Sequence, residues 1–359
     1  MGCYLEYYNE MIVYFYYSGM KITHNLYLHR CLRLGSKSAA KVSPNPMVGA
    51  VLVHNDEIIG EGYHEIYGGP HAEVNCFKSV NEAKLKLIPK STLYVNLEPC
   101  CHTGKTPPCV DLIIDKKPAQ VVIGCLDSSK KVNGKGMRKL QAAGIDVQLS
   151  EMQALCAEFN RKFLIAEELQ RPYIILKWAE SHDGYIAKPN ERTRISTTQS
   201  NSLNHLWRSE EDAILIGYRT ALIDKPKLNV REVKGRNPIR IVIDKDLSLP
   251  RDLNLFNKES KTIVCNKKFN RIEDGIQWIK YDNLKDLLKQ LYALKIGSVI
   301  VEGGTKTIET FLSEALWDEI RQIKSIVQLD NGVKAPRITD LSPSITQKSS
   351  SDLISTYYR

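Results

Sequence analysis

A chain of 359 residues is longer than one hydrophobic core usually serves, so two domains are expected. Its 43% hydrophobic and 25% charged residues are the balance of a globular protein and exclude a disordered or fibrous one. The net charge of +9 comes from lysines spread along the chain, with no basic block interleaved with aromatics. Such a field fits an anionic small molecule and argues against nucleic acid as the partner. Nine cysteines without a regular framework point to free thiols in a reducing, cytoplasmic setting. Residues 1–19 are rich in aromatics, lack a basic start and are too short to span a bilayer, so they read as an N-terminal extension and no membrane is expected.

The working chain begins near Met20. Leu26, Leu28, Cys31, Leu32 and Leu34 have helical spacing over 21–36, and Ser43-Pro-Asn-Pro46 is a loop. Strands over 48–54 and 57–64 are joined by Asn55-Asp56 as a hairpin. Then come a helix over 71–80, a strand over 92–97, a helix from 109 to 115, a strand over 120–124, a helix over 138–143, a strand over 145–149 and a helix over 151–164. Strands alternating with helices make this an α/β layered domain over 20–166. Residues 167–172 read as a linker, and a second α/β domain occupies 172–359. Its strands are expected over 173–178, 213–217, 239–243, 262–265 and 298–301, with a helix entered from Ser196-Thr-Thr198. Val301-Glu-Gly-Gly-Thr305 turns into a helix over 308–312, a layout that can hold a phosphate on backbone N–H groups, although a plain glycine turn looks the same. The serine-rich tail after Pro343 is expected to be loosely ordered.

Three short motifs carry chemistry. His71-Ala-Glu73 is followed by Pro99-Cys100 and then Pro108-Cys109. A hydrolytic zinc site uses three protein ligands and one open position. His71, Cys100 and Cys109 supply three, and Glu73 is left to move protons as general acid and base. This is the H-x-E…P-C-x-x-C pattern of zinc deaminases with the second cysteine spacing enlarged. Alone, each of these residues is more often an ordinary core or surface group. Cys101 and His102 lie close enough to compete as ligands, but Cys100 and Cys109 each follow a proline at a corner that aims the side chain. A structural zinc module with four protein ligands and a nucleic-acid base deaminase are the competing readings.

Ser43-Pro-Asn-Pro-Met-Val-Gly49, His71-Ala-Glu-Val-Asn75, Leu97-Glu-Pro-Cys100 and Gly104-Lys-Thr-Pro-Pro-Cys109 closely resemble the bifunctional deaminase–reductases of riboflavin biosynthesis. Leu176-Lys177, Asp183-Gly184, Ala213-Ile-Leu-Ile-Gly217, Leu228-Asn-Val-Arg231 and Val301-Glu-Gly-Gly304 resemble the second half of the same family. The resemblance implies a cytidine-deaminase-like αβα layer followed by a dihydrofolate-reductase-like α/β domain. It implies two reactions on a phosphorylated pyrimidine: zinc-dependent deamination, then NADPH-dependent reduction of the ribosyl group to ribityl. It places Asn45, His64 and Lys105 at the deaminase substrate. It places Arg208, Leu228, Arg231 and Glu302 at the reductase substrate, and Trp178, Thr220, Asp224, Gly303 and Gly304 at the cofactor. Arg192, Arg194 and Lys225 depart from the family pattern, and each adds positive charge near the implied phosphate sites. A homo-oligomer is the expected assembly; a deaminase with a decayed reductase domain is the alternative within enzymes.

Overall fold

Asn55 and Asp56 both adopt left-handed backbone, φ 46° and 61°, the geometry that matches the twist of a two-residue hairpin. They join β1 (Gly49–His54) to β2 (Glu57–Tyr63) in antiparallel register. The structure is a computed structural model and describes residues 24–103, 107–129, 132–191 and 193–359. The N-terminal extension expected over 1–19, Lys105 and Arg192 lie outside the described residues. The chain falls into two units that meet in sequence between Leu164 and Ile165.

The first unit runs α1 (His24–Ser36), β1, β2, α2 (Ala72–Lys78), β3 (Thr92–Val95), α3 (Cys109–Lys116), β4 (Gln120–Ile123), α4 (Lys135–Ala142), β5 (Asp146–Leu149) and α5 (Gln153–Phe159) into α6 (Arg161–Leu169). Its sheet has the order β2-β1-β3-β4-β5, with β3, β4 and β5 parallel. Successive side chains of a strand leave on opposite faces. Ala50, Leu52, Leu93, Val95, Val121 and Ile123 therefore pack with Cys76, Phe77, Val110, Ile113 and Leu140. Val51, Val53, Tyr94 and Val122 pack on the other face with Leu28, Cys31, Leu32 and Cys156. Helices cover both faces, which is why these strands read as unbroken apolar runs. The helix expected over 151–164 is two helices, because the backbone jogs at Asn160 (φ −107°, ψ 18°).

The second unit runs β6 (Tyr173–Glu180), β7 (Tyr185–Ala187), α7 (Thr198–Glu210), β8 (Ala213–Gly217), α8 (Tyr218–Asp224), β9 (Ile239–Ile243), β10 (Thr262–Asn266), β11 (Arg271–Glu273), β12 (Ile276–Lys280), α9 (Leu284–Ala293), β13 (Ser298–Val301), α10 (Thr305–Ser313), β14 (Glu319–Lys324), β15 (Val333–Lys334), β16 (Ile345–Ser349) and β17 (Asp352–Tyr358). Ten strands form one sheet, ordered β11-β12-β10-β9-β8-β13-β6-β14-β17-β16. Its inner strands are parallel, so their carboxyl ends share one edge. Among the described residues, no helix is long and apolar enough to cross a membrane.

The tail after Pro343 is ordered, contrary to the sequence expectation. β17 pairs antiparallel with β14 from Glu319↔Tyr358 to Lys324↔Leu353, and Ile354 is buried in the core. Ser350 takes φ 56° in the turn between β16 and β17. Removing residues 344–359 strips two strands from the sheet and uncovers Ile323 and its neighbours. A domain's margin is only about 5–15 kcal/mol, so the shortened protein should lose the cooperative unfolding of its second unit. A melting curve indistinguishable from the full chain's would contradict the strand assignment.

Candidate active sites

Pro99 ends the chain segment that leaves β3, and Cys100 follows it. Cys109 is the first residue of α3, and His71 caps the start of α2 (φ −74°, ψ 165°). One strand exit and two helix starts thus converge. His71 Nδ1 lies 3.5 Å from Cys100 Sγ and 3.3 Å from Cys109 Sγ. Ligands at ordinary Zn–N and Zn–S lengths on a tetrahedron stand about 3.6 Å apart, so the spacing suits one metal ion. The ligand atoms of all three residues fall within 4.8 Å of one another, and no other described His, Cys, Asp or Glu joins them. Cys101 and His102, the competing candidates, stand outside this group.

The backbone N–H of Cys109 donates to Cys100 Sγ at 3.3 Å. The Cys109 thiol hydrogen-bonds Cys100 and holds its thiol below the usual cysteine range. Metal ligation requires both sulfurs as thiolates, and this pairing prepares the first. Glu73 is buried, and that burial, then the charge on Cys100, raises its carboxyl above the ordinary value. His64 donates from Nδ1 to the Pro70 carbonyl at 2.9 Å, which leaves Nε2 to accept from Asn45 Nδ2 at 3.1 Å. Burial keeps this imidazole neutral. Its ring meets that of His71 edge-on at 5.2 Å. Six of the seven deaminase residues inferred from sequence therefore stand together, and the seventh, Lys105, is not described.

In the second unit a cleft of about 1750 Å³ opens along the carboxyl ends of the parallel strands, where ligands of open α/β sheets bind. Trp178, Thr220, Asp224, Arg231, Glu302, Gly303 and Gly304 line it. Arg208 reaches the cleft from behind, with Nε and Nη2 donating to the two Glu302 oxygens at 2.7 and 2.6 Å. Asn204 donates to the same carboxylate at 3.4 Å. Burial pushes the Glu302 carboxyl up, but the Arg208 and Lys177 charges outweigh it and hold it near 2. Arg208 therefore pairs with Glu302. Leu228 does not line the cleft: its side chain is buried in the core behind it, on a strained backbone of φ 49°.

The glycines of the turn have separate reasons. A Cβ on Gly303 would come within 2.7 Å of the Thr307 side chain, so only glycine lets α10 start so close to β13. Gly304 donates its N–H to Thr220 Oγ1 at 3.0 Å. That amide is committed, and the amides of Thr305 and Lys306 in the first helical turn are those without an intrahelical acceptor.

Residues 21–125 match the family model for the cytidine and deoxycytidylate deaminase zinc-binding region, and residues 172–325 that for the RibD C-terminal domain. The riboflavin biosynthesis protein RibD of Aquifex aeolicus is 40% identical over 304 residues, covering 82% of this chain and 84% of its own. The chain belongs to the RibD family. RibD of Escherichia coli is 34% identical over 320 residues, 82% of this chain and 85% of its own. The solved deaminase–reductase of Thermotoga maritima matches with a TM-score of 0.85 and 30% identity, covering 93% of this chain and 98% of that one.

As a RibD protein the chain is a bifunctional enzyme of riboflavin biosynthesis, a deaminase joined to a reductase, with Zn2+ and NADPH as cofactors. Lys177 was missed as a site residue, though its signal was present. It is the lone charge in the apolar run Tyr173–Trp178, it lines the cleft, and burial lowers its pKa beside Glu302. Of the departures from the family pattern, Arg194 lines the cleft and donates to Thr198 Oγ1 at 3.1 Å, while Lys225 ends α8 in left-handed backbone at φ 42°. The ligand set is tested by metal content. Cys100→Ser and Cys109→Ser should each lose stoichiometric zinc, and Cys101→Ser should retain it, because a neutral hydroxyl is a poor substitute for a thiolate. Zinc kept in Cys109→Ser but lost in Cys101→Ser would reverse the assignment.

Proposed function

We propose that the first unit deaminates 2,5-diamino-6-(5-phosphoribosylamino)pyrimidin-4(3H)-one and that the second reduces the ribosyl group of the product to ribityl. The observation that carries the first half is the His71–Cys100–Cys109 group with a buried carboxyl, Glu73, against it. Zinc bound by these three residues supplies Lewis acidity that makes water a nucleophile at neutral pH. Glu73 takes the proton of that water and returns protons to the ring nitrogen and the departing amine, so ammonia leaves. A carboxyl raised by burial is suited to this exchange. Asn45, its Nδ2 committed to His64, presents its carbonyl oxygen to the N–H edge of the pyrimidine. Lys105 is assigned to the substrate on the family motif alone.

In the reductase, NADPH supplies the hydride, and the protein supplies position and charge. A carboxyl held near 2 is a carboxylate at neutral pH, so Glu302 accepts hydrogen bonds from ribose hydroxyls and is not the proton donor. Lys177 lines the cleft beside it and is the group able to donate. Arg231 is half exposed on the cleft wall, where Nη1 donates to Asn229 Oδ1 at 3.2 Å and Nε lies 3.5 Å from Glu232 Oε1, and it takes the substrate phosphate. Trp178, Thr220, Asp224 and the glycine turn hold the cofactor. The eight described cysteines are all free, which supports a cytoplasmic setting.

Two variants separate the halves. Glu73→Gln should keep zinc yet abolish ammonia release, while NADPH oxidation with pre-deaminated substrate persists. Deamination near the wild-type rate would remove Glu73 from its role. Arg231→Ala should lower reductase kcat/KM about ten-fold or more, since a charge-assisted contact contributes roughly 1.5–3 kcal/mol. NADPH affinity and deaminase turnover should stay. Collapse of NADPH binding with an unchanged nucleotide KM would move Arg231 to the cofactor site.

A further inference from the structure

The loop that carries Asn45 offers few backbone donors of its own. Pro44 and Pro46 have no N–H to donate, and the amide of Asn45 is spent on the Val42 carbonyl at 2.8 Å. Met47, two residues beyond Asn45, is gripped from outside the loop. Its N–H donates to Asn160 Oδ1 at 2.9 Å, and its carbonyl accepts from Asn160 Nδ2 at 3.1 Å. Asn96 Nδ2 donates to the same carbonyl at 3.1 Å, and Asn96 Oδ1 accepts the Gly49 N–H at 2.8 Å. Both carboxamides are buried, at 3% and 0% exposure, so their bonds are not exchanged with water. The backbone N–H donors determine which end of each carboxamide is oxygen, so both orientations are set by the network.

Asn160 lies 113 residues from Met47, at the jog between α5 and α6. At this jog one side chain grips both polar groups of one loop residue. We infer that Asn160 is a positioning residue of the deaminase, setting Asn45 against His64 through Met47. The inference rests on the reading of Asn45 and His64 as pyrimidine contacts. Loss of the clamp leaves the metal ligands and Glu73 in place, so the effect belongs to substrate recognition and not to zinc or proton transfer.

Asn160→Ala removes both bonds. Asn160→Leu removes the same bonds at nearly the same volume and adds no charge, and it carries the test if the alanine variant misfolds. Each is measured for zinc content, for deaminase KM and kcat with the diaminopyrimidine nucleotide, and for reductase kcat/KM, alone and combined with Asn45→Ala. One lost buried hydrogen bond corresponds to about a five-fold change and two to about ten-fold or more. The expected result is a KM rise of about that size with kcat within about two-fold, full zinc and an unaltered reductase. In the Asn45→Ala background the same substitution should change KM by less than about two-fold, because it acts through Asn45. An unchanged KM, or an equal rise in both backgrounds, overturns the inference. Failure of the wild-type protein to release ammonia from this nucleotide would instead refute the substrate assignment, so the two failures are distinguishable.

Discussion

The chain leaving β3 must satisfy its own buried polar groups, and the deaminase unit is built around that requirement. Asn96 bonds Met47 and Gly49. Glu98, also buried, accepts from the amides of Asp127, Gly134 and Met137 at 3.2, 2.8 and 3.1 Å. A buried carboxylate without such partners would cost several kcal/mol. Three amides offset that cost and at the same time pull the start of α4 against Pro99. A Cβ on Gly136 would sit 2.3 Å from the Pro99 carbonyl oxygen, so the approach requires glycine. Cys100 follows directly, already fixed on one side by this packing and on the other by the Cys109 amide. The metal ligands inherit their geometry from neighbours that never touch the metal.

The reductase unit solves a similar problem with charge. Glu302 follows a fully buried strand, where an isolated carboxylate would be costly. Arg208 answers it with a bidentate pair and Lys177 with a second positive charge. Two cations around one anion leave a locally positive site, suitable for an anionic ligand. The same helix, α7, contacts both sides of the cleft: Asn204 and Arg208 hold Glu302, and the buried His205 accepts the Arg231 N–H at 3.4 Å through Nδ1. Burial and the two arginines push that imidazole down to about 4, so it is neutral and can serve as the acceptor.

Where local chemistry and fold agree, the chain was legible. Asn55-Asp56 between two apolar runs is a hairpin on any reading, and His-x-Glu before two proline–cysteine corners is a metal site. The hairpin of β11 and β12 had an equally plain signal, Asp274-Gly275 with φ 50° and 77°, but its strands are short and their outer faces polar. β14 and β17 were harder to see. Both carry charged or hydroxyl residues amid apolar ones, and only pairing with each other and with β6 buries Ile320, Ile323 and Ile354.

Sequence by itself determined the zinc chemistry, the two α/β units and the family, because each rests on residue types at short, fixed spacing. Tertiary structure decided the partners. Asn160 reads as an ordinary helix residue until its carboxamide is seen on Met47, and nothing near Arg208 in the chain announces its pairing with Glu302, 94 residues away. Glu98 has the same sequence context whether its carboxylate is solvated or bound by three amides. Spacing along a chain encodes what a side chain can do, whereas a hydrogen bond across many tens of residues depends on the directions in which several packed elements arrive. That information exists only once the layers have closed.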